Sequence, residues 1–126
     1  MSNNVSADLI RALIENMGGA ADDWSSLAMI LEFDEGRFYS AHGYAYSPGG
    51  TISAVASDAW SVKSAVDAHT ASYFSPGEAL PVKILVQFDR TLGKYKVTFE
   101  DVDMARWKVT PRNFKELREE LRPTFD

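Results

Sequence analysis

Apolar residues at Leu9, Ile10, Leu13, Ile14 and Met17 recur at i, i+1, i+4, i+5 and i+8, one stripe of a helix over Ala7–Met17. Ser6 is placed to accept from its first free amides, and Gly18-Gly19 supplies a left-handed stop. Beyond a loop over Gly19–Asp23 the period changes. Trp24–Phe33 reads as a strand, and its apolar centre, Leu27–Leu31, predicts cover on both faces. The turn signal Asp34-Glu35-Gly36 implies a hairpin partner, which Arg37–Tyr46 supplies. Strict alternation puts Phe38, Ser40, His42, Tyr44 and Tyr46 on one face of that strand. Tyr39, Ala41, Gly43 and Ala45 fall on the other, where small residues would admit a close helix. Ser47-Pro48-Gly49-Gly50 turns the chain into a third strand, Thr51–Ala56.

Ser57 or Asp58 can cap a second helix over Ala59–Tyr73, with Val62, Ala65, Val66, His69 and Tyr73 facing inward. Ser75-Pro76-Gly77 closes it. Val82–Phe88 and Lys94–Asp101 form another hairpin, in which Tyr95, Val97 and Phe99 alternate with Lys94, Lys96, Thr98 and Glu100. Thr110-Pro111 starts a last helix, because Thr caps free amides and Pro lacks the N–H that would go unpaired. Phe114, Leu117 and Leu121 give that helix its apolar face, and Pro123 ends it. The order α-β-β-β-α-β-β-α predicts a single α+β domain over residues 1–126. It has an antiparallel sheet of about five strands, with three helices on one side.

A chain of 126 residues can bury a core without covalent staples. The absence of cysteine excludes disulfides, thiolate metal sites and cysteine nucleophiles, and suits a reducing compartment. Asp8, Arg11 and Glu15 interrupt the N-terminal apolar pattern, which therefore lacks the h-region of a signal peptide. The longest apolar run, Leu27–Leu31, is too short to span a bilayer. The expectation is a soluble, cytoplasmic protein.

The net charge of −5 is uneven: residues 1–36 carry seven acids against Arg11 alone, and residues 106–126 carry six bases against four acids. An acidic chain repels phosphate backbones and anionic lipid, so nucleic acid and membrane are poor partners and a basic protein is favoured.

Little in the sequence supports catalysis. His42 lies mid-strand between tyrosines, and His69 on the apolar face of a helix reads as a hydrogen-bonded core residue. Neither glycine pair is a phosphate loop: Gly18-Gly19 follows a helix, and Gly49-Gly50 lies between strands. Glu100, Asp101 and Asp103 have oxygen ligands for a cation but not the spacing of a calcium loop, so they read as a solvated strand end. The alternating charges of the last helix, Arg112, Lys115, Arg118 and Arg122 with Glu116, Glu119 and Glu120, read as an ion-paired surface. No catalytic residue, cofactor or metal ligand is assigned.

The aromatics carry more information. Trp60 and Trp107 are expected to be buried, with Trp107 joining the last strand to the last helix. Tyr44 and Tyr46 are left as exposed anchors beside Asp22, Asp23, Asp34 and Glu35, whose carboxylates are expected to crowd one end of the sheet. Tyrosines among acids suit a protein-binding patch.

The strand KYKVTFED, the link DMARWKVTP with Arg106 and Trp107, and the closing ELREELRPTF make Pro81–Asp126 resemble the C-terminal half of the YezG-like family of small bacterial immunity proteins. The resemblance implies an α+β fold and a non-enzymatic protein that neutralises a bacterial toxin, often a nuclease, by tight binding. It carries over no site residue. The alternative reading is a small-molecule-binding α+β domain with a pocket between sheet and helices.

Overall fold

A computed structural model of the chain describes residues 4–125. The elements run α1 (Val5–Glu15), β1 (Met17–Gly18), β2 (Ser26–Asp34), β3 (Arg37–Tyr46), β4 (Ile52–Ser57), α2 (Ala59–Tyr73), β5 (Lys83–Asp89), β6 (Lys94–Glu100) and α3 (Phe114–Glu120). The strands form one antiparallel sheet ordered β1-β4-β3-β2-β5-β6. Among the described residues the fold is thus α+β with three helices, and the sheet has six strands rather than about five. The extra strand is the two-residue β1, which pairs Met17 with Ser57 and Gly18 with Ala56.

Local chemistry explains the boundaries. Asn4, rather than Ser6, caps α1, its Oδ1 accepting from the Ala7 amide at 3.0 Å. The helix ends at Glu15, so only Gly19 of the glycine pair takes a left-handed φ, while Gly18 sits in β1. Asp58 caps α2 through the Ser61 amide. The β2–β3 turn has positive φ at both Glu35 and Gly36, the geometry that matches the twist of a two-residue hairpin. The final helix proper begins at Phe114. Thr110 and Asn113 cap each other's amides ahead of it, Thr110 N–H to Asn113 Oδ1 and Asn113 N–H to Thr110 Oγ1.

The sheet is covered on both faces, which explains the unbroken apolar run in β2. On one face α1 and α2 bury Leu9, Leu13, Val62 and Val66 against Leu27, Met29, Leu31 and Ile84. On the other, Trp107, Leu117 and Leu121 cover Ala28, Ile30, Tyr44, Tyr46 and Leu85. The helices therefore do not share one side. The even-numbered apolar residues of β2 need a cover of their own, and α3 with its approach segment provides it.

Period-two alternation fails once in β3. The register shifts so that Phe33 opposes Phe38 while Glu32 opposes Ser40, leaving Tyr39 as the extra residue of a bulge. Phe38 consequently packs on the α1/α2 face with Ala41 and Ala45, not beside Tyr44. Gly43 is required by β2 rather than by a helix: a Cβ there would lie 1.8 Å from the Ala28 carbonyl oxygen.

Candidate functional site: an acid-rich end of the sheet

Strand direction decides which acids meet. Asp22 and Asp23 precede β2, and Asp34 and Glu35 follow it. At about 3.3 Å per residue its length separates the pairs by roughly 26 Å. The expected crowding of all four at one end does not occur. Asp22 and Asp23 lie beside the β5–β6 turn, where Arg90 donates to the Asp22 carbonyl at 3.3 Å and stacks over Trp24 at 3.9 Å. Asp34 and Glu35 instead share an end with the close of β6, because β2 and β6 both run antiparallel to β5. In register, Glu32 opposes Lys83 and Lys83 opposes Glu100. Asp34, Glu35, Asp101 and Asp103, all exposed, thus gather at one end with Glu100, against Arg37, Arg106 and Lys108.

Aromatic placement differs as well. Tyr44 and Tyr46 are only 8% and 1% exposed, and the Tyr46 hydroxyl donates to the Arg118 carbonyl at 2.6 Å. They are core residues under α3 and present no surface to a partner. Burial drives the Tyr46 phenol far above its ordinary pKa, with Arg122 working against the shift. Trp60, expected inside, is 86% exposed, because it lies across α2 from Val62 and Val66. Trp107 is buried as expected.

The exposed hydrophobic groups at the acidic end are Tyr39 (53%), Val102 (82%) and Met104 (56%). Tyr39 and Met104 line one cleft of about 280 Å3, floored by Glu32 and Lys83 and edged by Lys108. Desolvation raises the Tyr39 phenol above its usual pKa, and the charges of Glu32 and Asp34 add to the shift. The bulge is what turns Tyr39 outward, so simple alternation gave no sign of it.

Glu32 and Lys83 form a polar trio with His42, in which Lys83 is buried and the other two are half-buried. His42 Nε2 is 2.7 Å from Glu32 Oε1, and Lys83 Nζ is 3.5 Å from Glu32 Oε2. Lys83 also donates to the Arg106 carbonyl at 2.8 Å. Burial opposes ionisation of Glu32, but His42 and then Lys83 outweigh it and hold the carboxyl below its usual range. A histidine–carboxylate pair can move a proton, and among the described residues no hydroxyl is hydrogen-bonded to it. Through Lys83 the trio also ties the 101–109 segment to the sheet. Trp107 adopts φ +61°, a left-handed backbone that strains a bulky residue. Its ring is held in the second core cluster beneath Arg106, 4.4 Å away.

The Glu100 carboxylate is turned toward its own loop. It accepts from the side chain of Arg106 at 2.8 Å and from the amides of Asp103 and Val102 at 3.1 and 3.2 Å, which hold its pKa down to about 2. Asp103 accepts from the Ala105 amide. These carboxylates shape the loop, and no group of three histidine or acidic residues poised for a metal exists among the described residues. Farther along the same face, Lys96, Arg106 and Arg122 line a cleft of about 430 Å3 with Glu120. Both arginines there are paired, with Glu100 and Glu119.

No helix among the described residues is long and apolar enough to cross a membrane. No protein-family model matches the chain, and neither a curated protein nor a solved structure matches it significantly.

Proposed function

We propose that this chain is a non-catalytic, immunity-type protein that binds and neutralises a basic bacterial toxin domain through the acid-rich end of its sheet. One observation carries the binding part of this reading: exposed Tyr39 and Met104 share a cleft at the end where Asp34, Glu35, Asp101 and Asp103 converge. Acids around the rim speed encounter with a basic partner, and a desolvated aromatic at the centre slows its departure. The toxin class rests on the resemblance of Pro81–Asp126 to YezG-like immunity proteins. Occlusion of the toxin's active site by an anionic surface that mimics its substrate is the corresponding mechanism.

The test is a photoreactive amino acid in place of Tyr39 in the native host, with Asp23 replaced in parallel as the distant control. The expected result is an adduct from position 39 and none from 23. The captured partner should be basic, should arrest growth when expressed alone, and should be neutralised by co-expression of this chain. Equal capture from both positions, or a harmless partner, would count against the reading.

A second reading, a small-molecule binder, draws support from an apolar groove of about 420 Å3 between α1 and the β5–β6 hairpin, lined by Ile10, Ile14, Phe88 and Tyr95. An Ile14→Trp variant that fills this groove should leave partner binding intact under the first reading.

A further inference from the structure

The two edges of the sheet are unequal. β1 is two residues long and offers almost nothing to pair with, whereas β6 presents seven. Which backbone groups of β6 point outward follows from β5. At one end of β5 the Arg90 amide donates to Ser25, and at the other the Val82 carbonyl accepts from Phe33. Both peptides turn the even side of β5 toward β2, so Lys83, Leu85, Gln87 and Asp89 direct their backbone groups to β6. Their partners there are Glu100, Thr98, Lys96 and Lys94. Tyr95, Val97 and Phe99 therefore aim N–H and C=O away from the sheet, and among the described residues no backbone hydrogen bond reaches them from outside it.

The sequence of this edge is complementary to itself when reversed. Laid antiparallel on a second β6 about Val97, it sets Val97 against Val97, Tyr95 against Phe99, Lys96 against Thr98 and Lys94 against Glu100. No like charges face each other directly. The aromatic pairs fall on the α1/α2 face, where Tyr95 is 41% exposed and Val97 and Phe99 are only partly covered. Aromatic–aromatic cross-strand pairs stabilise a sheet, and like charges placed opposite each other destabilise it. A two-fold axis through Val97 makes the contact isologous and closed, so it ends at two copies.

We propose that β6 pairs antiparallel with β6 of a second copy, in register about Val97, joining two sheets into one. Each copy's Tyr95, Val97 and Phe99 exchange backbone hydrogen bonds with the other's. The acid-rich ends then point in opposite directions along the joined strands, and this inference does not depend on the toxin reading.

The test is sedimentation equilibrium over a concentration series for the wild type and Val97→Pro. Proline at this position removes only an outward N–H and obstructs the edge. Wild type should dimerise. Val97→Pro, with an unchanged circular dichroism spectrum, should weaken the dimer by about tenfold or more, the loss of roughly one to two net hydrogen bonds. As a measurement independent of that variant's folding, amide exchange at Tyr95, Val97 and Phe99 should slow as wild-type concentration rises. A wild type that stays monomeric, a dimer that survives in natively folded Val97→Pro, or exchange at these amides that ignores concentration would each overturn the proposal.

Discussion

Lys83→Met removes the charge that fastens the 101–109 segment while keeping the volume of the side-chain stem. The Lys83 side chain is 5% exposed and donates to the Arg106 carbonyl at 2.8 Å. Without it that carbonyl loses its partner, at about 1–3 kcal/mol. Glu32 also loses its Lys83 contact but keeps His42 and some solvent. Breaking a fully buried pair costs about 3–5 kcal/mol, and the residual hydration of Glu32 lowers that figure. The combined expectation is a loss of about 2–4 kcal/mol from a domain stability of order 5–15 kcal/mol. Urea unfolding followed by tryptophan fluorescence measures it, with the denaturant slope unchanged. Glu32→Gln in the same background should recover part of the loss, because the two sites are coupled. A loss below about 0.5 kcal/mol, the scale of a surface change, would refute the claim that this lysine fastens the segment.

Three further outcomes follow from particular contacts. Gly43→Ala drives a methyl into the Ala28 carbonyl, so urea titration should show a loss at or above the upper end of about 1–3 kcal/mol, and a neutral result would contradict the strand spacing. Burial lowers the His69 pKa, so the unfolded chain takes up a proton first as pH falls through about 6.5. Stability is fully present above that pH and declines below it; an urea midpoint that falls as steeply between about pH 7.5 and 5.5 in His69→Gln would assign the loss to another group. Trp60→Phe should abolish the acrylamide-quenched component of the fluorescence, leaving the emission of buried Trp24 and Trp107, and no change on substitution would place Trp60 inside.

Most strands and helices were legible because each is built on a strong period bounded by turn residues. The β2–β3 and β5–β6 hairpins are examples, with Glu35-Gly36 and Arg90–Gly93 between their strands. What escaped lies where a second element overrides the local pattern. β1 is two residues following a helix, and only its pairing with β4 makes it a strand. The bulge at Tyr39 moves Phe38 to the face of β3 opposite Tyr44 and Tyr46, and nothing in the alternation of Phe38 to Tyr46 announces it. The even face of β2 signalled a second cover, but not that α3 would supply it and bury Tyr44 and Tyr46. The acids were identifiable one by one, whereas their grouping depends on strand direction. The length of β2 parts Asp22 and Asp23 from Asp34 and Glu35, and β5 brings the latter to Asp101 and Asp103.

The most direct test of the acid-rich end as the binding surface is association kinetics with the partner captured at position 39, measured by surface plasmon resonance across a salt series. Asp34→Lys with Glu35→Lys should slow association and flatten its dependence on salt, while Tyr39→Ala should mainly speed dissociation. Asp22→Lys with Asp23→Lys, the same charge change at the opposite end of β2, should leave both rates close to wild type. Association that ignores salt, or an equal effect of reversal at the two ends, would contradict the account.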